Sequence, residues 1–178
     1  TDVCGNTTSD SQTITVIDTT DPVIVSSPMD VTIECDEAQP TDVPSFTDNC
    51  DMDLDVVAGS VQENVTDCGY DLVQTWTATD DCGNDVVVTR TITVVDTTNP
   101  VLSGVPANDT VECDAIPQPA VVTSSDNCSD APVQFTETEE PMECGSTITR
   151  TWTATDDCGN TTTESQVLTV VDTTDPVI

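Results

Sequence analysis

The chain is 178 residues long and carries 34 acidic side chains against two arginines, with neither lysine nor histidine, for a formal charge of −32. Such a surface repels nucleic acid and anionic membranes, and its self-repulsion opposes compaction unless cations screen or bridge the carboxylates. Catalysis by histidine or lysine is excluded, and no carboxylate pair stands out among the acids for acid–base work, so no enzyme is expected.

Acidity of this degree is also a signature of disorder, but Val, Ile, Thr and Trp recur here in alternating runs rather than in one low-complexity tract. An internal repeat organises them. The heptapeptides 18–24 (Asp-Thr-Thr-Asp-Pro-Val-Ile), 96–102 and 172–178 recur at offsets of 78 and 76 residues, as do the Cys-Gly-Asn triplets at Cys4, Cys82 and Cys158. A period of that length is one small domain, not a solenoid turn. The expected division is 1–17 as the last strands of a preceding repeat, 18–95 as repeat 1, 96–171 as repeat 2, and 172–178 as a linker and the start of the next. No apolar stretch is long enough to cross a bilayer.

In chain order, the first predicted strand is 13–17 (Thr-Ile-Thr-Val-Ile), with the β-branched alternation of a half-buried strand. The linker proline Pro22, like Pro100 and Pro176, fixes φ and pushes the preceding residue towards extended geometry, which predicts short, stiff connections. Repeat 1 then offers strands at 30–34, 43–47, 54–57, 72–78 and 91–95, and repeat 2 at 109–112, 120–123, 133–136, 148–154 and 168–171. The last two of each set form a hairpin around the turn Asp-Asp-Cys-Gly-Asn. Alternation places Trp76 and Trp152 inside, while Arg90 and Arg150 are expected to pair with carboxylates. With no 3.6-residue periodicity anywhere, the prediction is all-β: tandem immunoglobulin-like β-sandwich repeats. Five aromatic residues in 178 leave each core thin, so the repeats are expected to be disulfide-stapled.

Nine cysteines point to an oxidising, extracellular compartment. There is no Cys-x-x-Cys pair and no histidine for a zinc site. Each repeat has four cysteines, which allow three connectivities that sequence alone does not distinguish. If the strands follow immunoglobulin order, Cys35 and Cys68 fall at one pole and Cys50 and Cys82 at the other. That order predicts Cys35 with Cys68, Cys50 with Cys82, Cys113 with Cys144, and Cys128 with Cys158.

The acids gather in loops. Asp48, Asn49 and Asp51, then Asp80, Asp81 and Asn84, with Asp18 and Asp21 of the linker, are predicted to converge at one pole of repeat 1. Their counterparts in repeat 2 are Asp126, Asn127, Asp130, Asp156, Asp157 and Asn160, with Asp96 and Asn99. Calcium takes six to eight oxygens at flexible geometry, which suits such a set. The competing reading is that Asp and Asn stand there because they initiate turns.

The run 77–84 (Thr-Ala-Thr-Asp-Asp-Cys-Gly-Asn), followed by an alternating strand and Asp-Thr-Thr-x-Pro, resembles hyalin-repeat and related immunoglobulin-like modules of giant secreted surface proteins, especially those of marine gliding Bacteroidota. Four cysteines per repeat and the lack of lysine depart from the eukaryotic members. The resemblance implies a secreted adhesive or stalk-forming module, exported by a type IX pathway and placed on the cell surface or in an appendage. The expected function is a structural repeat unit of a filament, stalk or adhesin, supported by calcium. The alternative is a calcium-dependent module that binds glycans or cells. Expected partners are neighbouring repeats of the same chain, a homo-oligomer or filament, and a surface glycan or a prey or host cell, with no nucleic acid and no membrane insertion.

Overall fold

The computed structural model describes residues 1–175; Pro176 and most of the expected start of a further repeat lie outside them. Every regular element among the described residues is a strand. The first repeat contains β1 (Val23–Ser26), β2 (Val31–Glu34), β3 (Ser45–Thr47), β4 (Asp55–Thr66), β5 (Gly69–Thr79) and β6 (Asp85–Val95). The second contains β7 (Val101–Ser103), β8 (Asp109–Glu112), β9 (Thr123–Ser125), β10 (Val133–Met142), β11 (Gly145–Thr155) and β12 (Thr161–Val171). Each repeat combines a two-stranded antiparallel sheet, β1-β3 or β7-β9, with a four-stranded sheet of order β2-β6-β5-β4 or β8-β12-β11-β10. Sheets so combined make the immunoglobulin-like sandwich that the alternating pattern predicts. In both four-stranded sheets the first member runs parallel to its neighbour, with Val31 opposite Ile92 and Asp109 opposite Leu168.

Period-two burial explains the central strands. In β11, and in β12 from Gln166 onward, residues alternate between core and half-exposed faces, and the antiparallel register runs from Gly145 opposite Val171 to Thr155 opposite Thr161. Trp152 and Ala154 pack with Leu102 and Ala131, which links the two sheets of the second repeat. Nearer the other end, Ile148, Leu168 and Val170 form a separate small cluster, and Ile33, Ile92 and Val94 form its counterpart in the first repeat. Tyr70 packs against that counterpart. The cores are as thin as five aromatic residues allow.

Both arginines are buried within the sandwiches. Arg90 donates to Asp42 at 2.6 Å and to Gln74, and its guanidinium lies 5.7 Å from the ring centre of Trp76. Arg150 pairs with Glu137 at 2.7 Å and donates to the Pro117 carbonyl. The positions are exchanged between repeats: Gln74 matches Arg150 and Arg90 matches Gln166, so each sheet carries one buried cation at either of two facing places.

Two expectations need correction. Residues 13–17 form no strand, and Ile14, Val16 and Ile17 are exposed. No neighbouring strand pairs with them among the described residues, and a single strand has no partner for its backbone. The strand expected at 120–123 starts at Thr123 instead. Short strands β1 and β7, immediately after the linker prolines, carry too few residues to show periodicity and were not anticipated.

By contact, the described chain divides into two compact units. One comprises Thr1–Met29, Thr41–Ser60 and Gln74–Arg90, and the other Asp30–Pro40, Val61–Val73 and the chain from Thr91 onward. The second unit therefore joins the Cys35 and Cys68 end of the first repeat to the whole of the second repeat.

Candidate metal centres and the repeat junction

The turn Asp80 to Asn84 is built by its first residue. Asp80 accepts from the backbone N–H of Cys82 and Asn84 through Oδ1 and from the Asn84 side-chain amide through Oδ2, at 2.7 to 2.9 Å. Asp156 repeats all three bonds with Cys158 and Asn160. Gly83 and Gly159, at φ of 89° and 87°, take the left-handed position that closes each turn. The remaining hydrogen on each asparagine amide reaches back to the linker, Asn84 to the Asp18 carbonyl and Asn160 to that of Asp96. Asn84 and Asn160 therefore act as donors tying turn to linker.

These bonds hold the Asp80 carboxyl below the ordinary carboxylate value, with the Asn84 amide the largest cause. At Asp156 burial acts in the opposite sense, yet the Asn160 amide and the backbone N–H groups outweigh it and that carboxyl is also lowered. Protonation is thus harder in the folded than in the unfolded chain. The stability these groups contribute is complete above the ordinary range and is lost as pH falls through the lowered folded values. Repulsion among the acids relaxes over the same window with the opposite sign, so the discriminating measurement is a carboxyl NMR titration in calcium-free buffer. Asp80 and Asp156 should titrate below ordinary aspartates, and Asn84→Ala should raise Asp80 alone; an Asp80 midpoint already at the ordinary value defeats this account.

Around this turn the predicted convergence is present in part. Asp18, Asp48 and Asp80 each bring one carboxylate oxygen within 4.8 Å of the others. Asp48 uses Oδ1 to accept from Cys50 and Asp51, while its Oδ2 is buried with no partner. In the second repeat Asp126 holds Cys128 and Ser129 in the same way, again with Oδ2 buried and unpartnered. Asp96, 7% exposed, also has a buried Oδ2 without a partner, and lies in one group with Asp156 and Cys158 and in another with Glu34 and Cys128. Asp51 is diverted to cap the Asp81 backbone N–H. Asp21, Asp81, Asp130 and Asp157 are exposed and belong to none of these groups; Asn49, Asn99 and Asn127 are exposed as well. The turn-forming and cation-holding readings thus coexist: one oxygen of each of Asp48, Asp96 and Asp126 builds a turn, and the other is left bare.

Sequence reasoning missed Glu34 and Glu112. Each ends a strand, β2 or β8, and immediately precedes the first cysteine of its repeat, and each accepts from the backbone N–H and the hydroxyl of the first linker threonine, Thr97 or Thr173. Their shared offset of 78 residues was the available signal.

The cysteine pairing differs from expectation. Cys35 is bonded to Cys128, with Cα atoms 5.8 Å apart, so the expected bonds Cys35 to Cys68 and Cys128 to Cys158 do not form. The expectation treated each repeat as closed. In the second compact unit the loop Asp126–Ser129 lies against the end of β2, which makes the partner in the next repeat the nearer one. Cys4, Cys50, Cys68, Cys82, Cys113, Cys144 and Cys158 carry no bond. Burial, followed by the neighbouring Cys68 and Asp96, pushes the Cys158 thiol well above its ordinary range.

Two stretches of the chain, 23–94 and 102–170, each match the model of an HYR-like domain with four cysteines. The chain belongs to this HYR-like family. The two matches place Cys35 in one domain and Cys128 in the next, so the bond is an inter-domain one within the HYR-like pair. No curated protein matches the chain. Among solved structures, it is similar to the first two extracellular domains of a human mucin-like protocadherin, with 11% identity and a TM-score of 0.35 over 85% of this chain and 98% of that one. It is similar also to extracellular cadherin domains 1–4 of protocadherin gamma B7, with 14% identity and a TM-score of 0.33 over 85% and 51%. No helix among the described residues is long and apolar enough to cross a membrane.

Proposed function

We propose that this chain is a structural segment of an extracellular filament, stalk or adhesin, in which successive HYR-like domains are fixed end to end by disulfide and calcium. The observation that carries the proposal is the Cys35–Cys128 bond. A bond inside one domain would only stabilise that domain, whereas a bond between domains restricts their independent movement. The Glu34 clamp on Thr97 and the hold of Asn160 on the Asp96 carbonyl act on the same linker. The excess of 34 acids over two arginines fits a secreted product of a saline habitat, where cations offset repulsion.

Calcium is the cation that the donors fit. The Asp18, Asp48 and Asp80 set is oxygen only, and Asp48, Asp96 and Asp126 each present an unpartnered buried oxygen. Asp18, Asp48 and Asp80 would hold one ion, and Asp96, Asp126 and Asp156 would supply the equivalent in the second domain. A ligand that binds only the folded form stabilises it by about 2.7 kcal/mol at 100 times its Kd. Calcium should therefore raise the melting midpoint above that in magnesium or sodium at equal ionic strength, and Asp48→Asn with Asp126→Asn should remove most of the rise. Asparagine keeps the oxygen each turn requires and removes the bare one. An equal midpoint in calcium and in sodium would return both clusters to plain turns. Electron microscopy of the parent particle with calcium and with chelator tests the mechanical role: stiff threads that soften on chelation support it, and threads equally flexible in both refute it.

A further inference from the structure

We propose that Cys68 and Cys158 form a second disulfide across the same junction, so that each pair of successive domains is joined by two bonds, first cysteine to second and third to fourth. This goes beyond the proposed function and does not depend on calcium.

The case rests on repeated geometry. In the bonded pair, the Cys35 sulfur lies 3.7 Å from the carbonyl oxygen of Asn127, the residue before its partner Cys128. In the second pair, the Cys68 sulfur lies 3.2 Å from the carbonyl oxygen of Asp157, the residue before Cys158. The two thiols are direct neighbours. Both donor cysteines, Cys35 after β2 and Cys68 between β4 and β5, belong to the compact unit that contains both acceptors. Within the first domain Cys68 has lost its expected partner, because Cys35 is already bonded.

The numbering of the repeat supports the same rule. Cys50 and Cys82 occupy in the first domain the places of Cys128 and Cys158, and Cys113 and Cys144 occupy in the second the places of Cys35 and Cys68. The rule makes Cys50 and Cys82 acceptors for a domain ahead of them, and Cys113 and Cys144 donors to a domain behind. These four are unbonded, and Cys68 and Cys158 likewise stand as free thiols in the structure.

Chemically, the two thiols lose two protons and two electrons as one sulfur–sulfur bond forms. A disulfide oxidant, such as an oxidised dithiol protein or an oxidised small thiol, accepts both and leaves as two thiols through a mixed disulfide.

The test is peptide mapping of the full chain, folded with an oxidised small thiol, alkylated in denaturant without reductant and cut at acidic residues. A peptide linking Cys68 to Cys158 is expected beside one linking Cys35 to Cys128. Cys68 linked within its own domain, or alkylated together with Cys158 while Cys35–Cys128 is intact, overturns the proposal. In a Cys68→Ser chain, alkylation at Cys158 should rise at least tenfold while Cys35 and Cys128 stay protected. Release of any other cysteine instead of Cys158 overturns it equally, and retention of Cys35–Cys128 reports that the variant has folded.

Discussion

Replacing Cys35 by serine is expected to lower the stability of the oxidised chain by about 4 to 5 kcal/mol, because the bond to Cys128 spans 93 residues and the chain-entropy cost of closing so long a loop is of that size. For a chain of this length that corresponds to a fall of roughly 10 to 15 °C in melting midpoint. The Cys128→Ser variant should fall by the same amount, and the double variant by no more than either, since all three remove one bond. Cys113→Ser is the control: Cys113 is exposed and unbonded, and its variant should melt with the parent. If Cys35→Ser and Cys113→Ser melt alike, the junction bond contributes nothing to the fold.

The second large effect belongs to Gly69 and Gly145, which open the Trp-bearing strands of the two domains. Both have φ of 146°, and a Cβ at either would lie 2.0 Å from a backbone oxygen, that of Val94 or Val170. Those oxygens belong to the central strands β6 and β12 and are not free to move, so the clash must be relieved by parting the sheet. Gly145→Ala should cost about 3 kcal/mol or more in denaturant unfolding, combining backbone strain with overpacking. Gly159→Ala provides the scale, since its φ is also positive but nothing lies within 4 Å of an added Cβ; it should cost about 1 kcal/mol. Equal costs at the two positions would show that the close approach to Val170 is unimportant.

Much of this was legible from the chain because the signals are periodic or repeated. Alternation gave the hairpins and put Trp76 and Trp152 inside, where they are 6% and 2% exposed. Clustering of acids drew attention to Asp18, Asp48 and Asp80, whose carboxylate oxygens lie within 4.8 Å of one another. What escaped is instructive. Strand β4 is exposed along its whole length, so no buried face marks it beyond its first residues. The choice of cysteine partner depends on which loop of the next domain lies against the end of β2, and no property of one repeat contains that information. Glu34 looked like one more acid among 34, and only its bond to Thr97 distinguishes it.

The Cys35–Cys128 bond has a final consequence under tension. A force applied to the two ends of the chain passes through the sulfur bridge and bypasses the 93-residue span between them. At about 3.3 to 3.6 Å per extended residue, roughly 300 Å of contour is withheld from stretching however far the enclosed strands unravel. A single molecule pulled in an optical trap therefore yields that hidden length only when a reductant cuts the bridge, and the redox state of the surroundings sets how far the tether can reach.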